Sequence, residues 1–324
     1  MTRFAILIVA VGVFAAAPVL LARLEDVPPR WRLRLGAISL LGLTSALASL
    51  FAAVLLPEVL TVRSIGELWS TCNRAFHTLG GDPLGRWPSL LAGTALALIL
   101  GRLAWALVLA ARATMRARVR AAEPRWVLAG RHPVYVLPLD RAEAYSVGCW
   151  RSHVVVSQGM IEMLDRDERA AVLLHEEGHL KGRHHLILVL ARAVARALWP
   201  LPAAPGLLTL IEQAIEEAAD EYAARGIGNA AVVAGGVAKA ALAELGGPAG
   251  ALPAGGPDVP ARIRRLLNPS EVPSWMPYAC LAGVVVLLGV FAVTQAIAGL
   301  ALVAAAHHVF GVGAAMACPL TRRS

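Results

Sequence analysis

Residues 173–185 read LLHEEGHLKGRHH, and two histidines in that stretch, His175 and His179, stand four positions apart. On a helix, residues at that spacing leave the same face about one turn from each other, so two imidazoles there can hold one metal ion. Glu176 lies beside that face. The pattern HExxH suits hydrolysis with Zn2+: the histidines bind the ion, while the glutamate stays off it and takes a proton from a water that attacks a carbonyl. A catalytic zinc usually takes three protein ligands and leaves one position for water, so a third donor is required. The four cysteines, Cys72, Cys149, Cys280 and Cys318, are scattered and form no CxxC pair, which leaves histidine and carboxylate as the donor types.

Two residues could complete the set. His185 extends the pattern to HExxHxxGxxH, with Gly182 as the turn, which is the metzincin arrangement. The Met-turn of that arrangement has no counterpart, because no methionine falls between Met163 and Met276. The other candidate is Glu216, in the string EEAAD at 216–220, with Glu217 as its positional alternative. Glu212, Glu216, Glu217, Asp220 and Glu221 crowd one predicted helix over 207–225, and like charges four apart weaken a helix unless basic partners or a cation meet them.

The elements that must position these residues follow from periodicity. Short β-like runs at 126–128, 134–137, 144–147 and 153–157 predict a small sheet ahead of the HEEGH helix. Asp165 to Glu168 supplies an acidic first turn for that helix. The apolar stretch 186–199, interrupted by Arg192 and Arg196, reads as a helix packed on the domain or lying at the membrane surface. Residues 246–260 form a Gly/Pro-rich loop, and 261–267 (ARIRRLL) a short basic helix.

The chain as a whole has a membrane composition. Apolar residues make up 57% and charged residues 16%, with a mean hydropathy of +0.63. Segments 4–22, 35–56, 89–111 and 278–306 are long enough to cross a bilayer at about 20 residues each. Arg102 lies inside the third and is assigned no role. The net charge of +8 is explained by positive-inside bias and anionic lipid rather than nucleic acid, for which no recognition motif is present. Arg23, Arg30, Arg32 and Arg34 follow the first segment, and Arg112, Arg116, Arg118, Arg120 and Arg125 follow the third. Both clusters favour the cytoplasm, which places the two termini outside and the HEEGH region inside. Cys72 and Cys318 then share the external, disulfide-permissive side, where a bond between them and two free thiols are the alternatives.

HEEGH followed by a helix carrying E-x-A-A-D resembles the integral-membrane gluzincins. The separation of 36 residues between His179 and Glu216 is most similar to the BlaR/MecR-type antirepressor metallopeptidases, and HtpX-like and CAAX-prenyl proteases share the pattern. The resemblance implies that Glu216 is the third zinc ligand and that Asp220 orients a ligand histidine. AYSVG at 144–148 is similar to the edge strand of these peptidases, which implies that Tyr145, Ser146, Val147 and Gly148 receive an extended substrate. VPARIRRLL at 259–267 resembles the motif that closes their domain. The resemblance spans 126–267. His184, His185 and His153 are candidates for an oxyanion role, with none preferred.

The expected architecture is therefore an α+β zinc-peptidase domain at 112–277 within a polytopic helical membrane protein. Three spans occupy 1–111, a last span 278–306, and a short external tail 307–324. The expected partners are a protein or peptide substrate, the lipid bilayer and a cytoplasmic repressor protein, with no direct contact to nucleic acid. The expected activity is cleavage of a protein on the cytoplasmic side, in envelope-stress or antibiotic-response signalling, or as an HtpX-like quality-control protease. A non-proteolytic signalling role is the remaining alternative.

Overall fold

The computed structural model describes residues 2–22, 27–60, 87–120, 126–129, 132–147, 152–199, 201–245, 258–269 and 273–315. Cys72, Cys149, Cys318 and Gly148 lie outside the described residues, as does most of the Gly/Pro-rich loop. The chain divides into two units. One comprises 1–16, 38–102 and 284–324, and the other 17–37 and 103–283.

The described residues of the first unit form apolar helix segments. Helices α1 (Thr2–Ala22), α2 (Pro29–Leu60), α3 (Trp87–Arg120) and α10 (Met276–Ala315) contribute to it. Among the described residues, three stretches are long and apolar enough to cross a membrane by length and composition: Pro29–Ala52, Gly93–Arg112 and Met276–Ala296. The described apolar part of α1, Ile6–Leu20, is shorter. Within this unit Phe14 packs against Gly42, where a side chain would collide with the ring. Gln295 donates to the Ser45 hydroxyl, a polar tie between helices of the kind that supports packing where hydrophobicity gives no preference.

The second unit carries a four-stranded sheet and the helices around it. Strands β1 (Trp126–Ala129), β2 (His132–Leu137), β3 (Ala144–Val147) and β4 (His153–Ser157) lie in the order β1-β2-β4-β3. β2 and β4 are parallel, and the outer pairs are antiparallel. Alternation along β4 turns Val154 and Val156 into one core with Met160, Leu164 and Leu180, and Val155 toward Val147 and Tyr135 on the other face. β3 is thus an edge strand, as expected for 144–147.

Ser157 caps α4 (Gln158–Met163), its hydroxyl accepting from the Met160 N–H at 3.1 Å. Asp165 and Glu168 form a reciprocal capping box at the start of α5 (Arg166–Lys181). That helix ends at Gly182, and Arg183 takes a left-handed conformation (φ 51°) before α6 (His184–Ala197) begins. The turn that the HExxHxxGxxH reading places at Gly182 is present, with Arg183 rather than the glycine taking the positive φ. α7 (Ala203–Ile227) crosses α5, and α8 (Ala230–Leu245) and α9 (Val259–Leu267) complete the group. α8 has no counterpart in the sequence reading. It is held on α5 by an ion pair between Lys239 and Glu168 at 2.6 Å.

Gly178 explains how closely α5 and α7 approach. A Cβ there would stand 3.2 Å from the Ala219 Cα and 3.2 Å from the Tyr222 Cβ, so the absence of a side chain lets the two helices meet at short range. This gives a reason for glycine at a variable position of the HExxH pattern.

Candidate metal centre

The crossing of α5 and α7 brings the predicted donors together. His175 and His179 lie on one face of α5, and Glu216 reaches them from α7; their ligand atoms all fall within 4.8 Å of one another. The Nε2 atoms of His175 and His179 are 3.0 Å apart. Glu216 Oε2 is 3.6 Å from His175 Nε2, and its Oε1 is 3.7 Å from His179 Nε2. Donors at about 2.0–2.1 Å from a tetrahedral zinc stand roughly 3.3 Å from each other, so the set matches that ion in donor type and spacing. Two imidazole lone pairs facing each other at 3.0 Å would also repel unless a proton or a cation lay between them.

The electrostatics show which group takes that proton. Burial disfavours a charge on His175, but the carboxylates of Asp220 and Glu216 outweigh it and raise the imidazole to about 10. Burial and then the His175 charge push His179 down to about 3. Burial opposes the charge of Glu216 as well, yet contact with His175 brings it down to about 2. The donors thus share one proton, and a divalent cation can take its place.

Asp220 stands one turn beyond Glu216, and its Oδ1 is 2.9 Å from His175 Nδ1, the nitrogen that points away from the other donors. Such a carboxylate fixes the ring's orientation and tautomer. Asp220 is itself held by Arg262 of α9, whose Nε and Nη2 each donate at 2.8 Å. The same guanidinium reaches Glu216 Oε2 at 3.2 Å. Arg262 is the functional neighbour that the sequence reading missed. It is one of three arginines at 259–267 and the one that is buried.

The remaining candidates separate clearly. Glu217 is turned to Arg32 and Arg265, with Arg265 Nη1 at 3.2 Å, and not to the histidines. His185 Nε2 lies 3.2 Å from the Ser146 hydroxyl and is not part of the donor group among the described residues. His184 contacts His179, with the two Nδ1 atoms 3.1 Å apart. His153 lies at the start of β4 beside Tyr135, with ring centroids 4.6 Å apart.

Glu176 is buried, and burial is the largest influence on it, raising its pKa against the opposing pull of the His175 charge and of hydrogen bonds from the Ser146 hydroxyl and backbone. Ser146 belongs to the edge strand β3, so the strand expected to receive substrate touches the expected base. Tyr145 and Val147 flank it and pair with Val155 and His153 of β4. A carboxyl held above its ordinary range and linked to an open strand edge can accept and return a proton near bound substrate.

Comparison with known proteins finds similarity over part of the chain. Residues 113–203 match Peptidase family M48, a stretch that includes the sheet, α5 and α6 and stops before Glu216. Curated relatives described as "Protease HtpX homolog" are similar over one short region. That of Aquifex aeolicus (strain VF5) is 34% identical over 67 residues, 20% of this chain and 22% of the relative. That of Salinibacter ruber is 36% identical over 67 residues, covering 20% and 24%. That of Thermococcus kodakarensis is 37% identical over 70 residues, covering 21% and 24%. The chain spans less than a quarter of the length of these relatives. No solved structure matches it. The matches support a membrane metallopeptidase of the M48 kind, and the BlaR/MecR type is not singled out by them.

Proposed function

We propose that this chain is a membrane-embedded zinc endopeptidase acting on the cytoplasmic side. The observation that carries the reading is the meeting of His175, His179 and Glu216 from two crossing helices, with Glu176 beside them and linked to an open strand edge. His175, His179 and Glu216 would hold the zinc, which when bound supplies a Lewis acid that polarises the scissile carbonyl and acidifies a water. Glu176 takes the proton from the attacking water and returns it to the leaving amine. Asp220 orients His175, and Arg262 holds Asp220 and Glu216 in place. An extended peptide adds to β3 at Tyr145, Ser146 and Val147 by main-chain hydrogen bonds, with Gly148 next in the chain as the fourth expected contact.

The arginine clusters after the first and third apolar segments support a cytoplasmic domain over 112–277, with both termini outside. Spans at 4–22, 35–56, 89–111 and 278–306 complete this topology. The similarity to proteases named HtpX homologues favours membrane-protein quality control over cleavage of a repressor. The test is proteolysis of an unfolded protein such as casein by the full chain in detergent, with and without a zinc chelator. Cleavage that needs zinc and is absent in Glu176→Gln supports the reading; cleavage that survives both treatments overturns it. Capture of full-length substrates by Glu176→Gln in cells then separates misfolded membrane proteins from a repressor.

A further inference from the structure

His179 presents the same requirement as His175, but a different group meets it. With Nε2 directed at His175 and Glu216, a neutral His179 carries its proton on Nδ1, and that N–H needs an acceptor in a buried place. The atom facing it at 3.1 Å is Nδ1 of His184, and the two rings stand edge to face with centroids 5.1 Å apart and planes 84° apart. His184 is 4% exposed.

The chain is shaped to seat this ring. Arg183, with its positive φ, reverses the path after α5 so that α6 starts at His184. The imidazole folds back over Gly182, where a Cβ would collide with the ring at its Nε2 edge. Glycine at 182 therefore has a steric duty, since φ there is an ordinary −74° that any residue adopts. His185, one residue on, turns instead to Ser146.

We propose that His184 is a positioning residue: by accepting from His179 Nδ1 it holds that imidazole in the tautomer and orientation that direct Nε2 to the metal. The two histidines of the motif would then be oriented by unlike partners, His175 by the carboxylate of Asp220 and His179 by a neutral imidazole. The inference rests on the zinc-site reading above.

The experiment measures zinc affinity of the full chain in detergent, by competition with a chromophoric chelator, with thermal unfolding of the chelated protein alongside. His184→Ala should weaken zinc about 10–100-fold, the range for loss of such a partner. His184→Asn should recover most of this, because its side-chain carbonyl can accept in place of Nδ1. Gly182→Ala should weaken zinc with His184 unchanged, by displacing the ring. Wild-type affinity in His184→Ala overturns the proposal, and so does an Asn variant that folds yet binds as weakly as the Ala variant. If His184→Ala does not fold, the Asn variant decides by the same criterion. His175→Ala must lose zinc in every case; if it does not, the metal-site reading fails together with this one.

Discussion

The crossing of α5 and α7 and the long apolar helices meet opposite requirements. At the crossing, Asp220, Arg262 and Glu176 are buried, and Asp220 is matched to Arg262 by two hydrogen bonds of 2.8 Å. Charges removed from water are tolerated only with such partners, so the identity and placement of single atoms matter. In Gly93–Arg112 only 6% of the apolar window is buried, and Leu98 and Trp105 are 62% and 61% exposed. That surface suits lipid and needs apolar composition more than particular neighbours. The difference teaches that substitutions of similar size should have unequal effects in the two regions.

The largest effect is expected where chemistry and charge coincide. Glu176→Gln should retain zinc and lose about 10²–10⁴-fold in peptidase turnover, the range for loss of a general acid–base group. His175→Ala should lose zinc and turnover together. Metal content and cleavage rate of the purified variants check both, and an active Glu176→Gln protein removes the proposed base.

Arg262→Leu comes next. It leaves Asp220 and Glu216 without their shared cation, and breaking a buried pair on one side costs about 3–5 kcal/mol. Thermal unfolding in detergent measures the loss. Adding Asp220→Leu to it should return part of the stability while zinc affinity stays low, which separates uncompensated charge from loss of an orienting partner. If Arg262→Leu is as stable as the wild type, the charge-matching account of this region is wrong.

Glu216→Ala should weaken zinc by more than the roughly 10–100-fold that outer partners contribute. His185→Ala and Glu217→Ala should stay near wild type, because their side chains meet Ser146 and Arg265 instead. Strong loss on His185→Ala would restore the longer HExxHxxGxxH arrangement.

What the sequence made legible depended on local rules. The HEEGH helix follows from the i, i+4 spacing, its start from Asp165 and Glu168, and a strand from the β-like run at 144–147, whose edge position came from the resemblance of AYSVG to the peptidases' edge strand. Choices made by tertiary contact were not legible. Glu216 and Glu217 differ by about 100° around a helix, and only the crossing with α5 decides which faces the histidines. Arg262 is indistinguishable in sequence from Arg264 and Arg265; the cap at Asp258 and the phase of α9 bury it together with Leu266. Helix α8 was overlooked because its Ala, Gly and Val residues carry almost no charge to mark a face. Its Lys239 meets Glu168 of α5 from far along the chain. His184 and His185 are adjacent, and the turn at Arg183 sends them to different partners.

The effect of pH is smaller and tests the shared proton. In the chelated protein His175 sits near 10 against an ordinary 6.5, through carboxylates that outweigh burial. A raised folded value means that this contribution to stability is complete below about pH 6.5 and is lost as pH rises toward 10. Zinc takes the place of that proton, so the rise in Tm on adding zinc should be larger at pH 9 than at pH 6.5. Equal rises at the two values would show that the donors carry no proton that zinc displaces.

The smallest effect belongs to the apolar helices and sharpens the comparison directly. Val285 is 60% exposed, so Val285→Leu adds one methylene to an uncovered face and should change stability by less than about 0.5 kcal/mol, with zinc affinity unaltered. Ala219 is fully buried and its Cα lies 3.2 Å from where a Cβ at Gly178 would be, so Ala219→Val adds two methyl groups where two helices already touch. Overpacking of this kind costs about 1–3 kcal/mol. It should also move Glu216 relative to His175 and His179, and therefore weaken zinc as well as lower Tm. Measured side by side in the same detergent, the two enlargements should differ in both readings. Equal losses of zinc affinity would mean that the apolar helices govern the donor geometry as strongly as the α5–α7 crossing does.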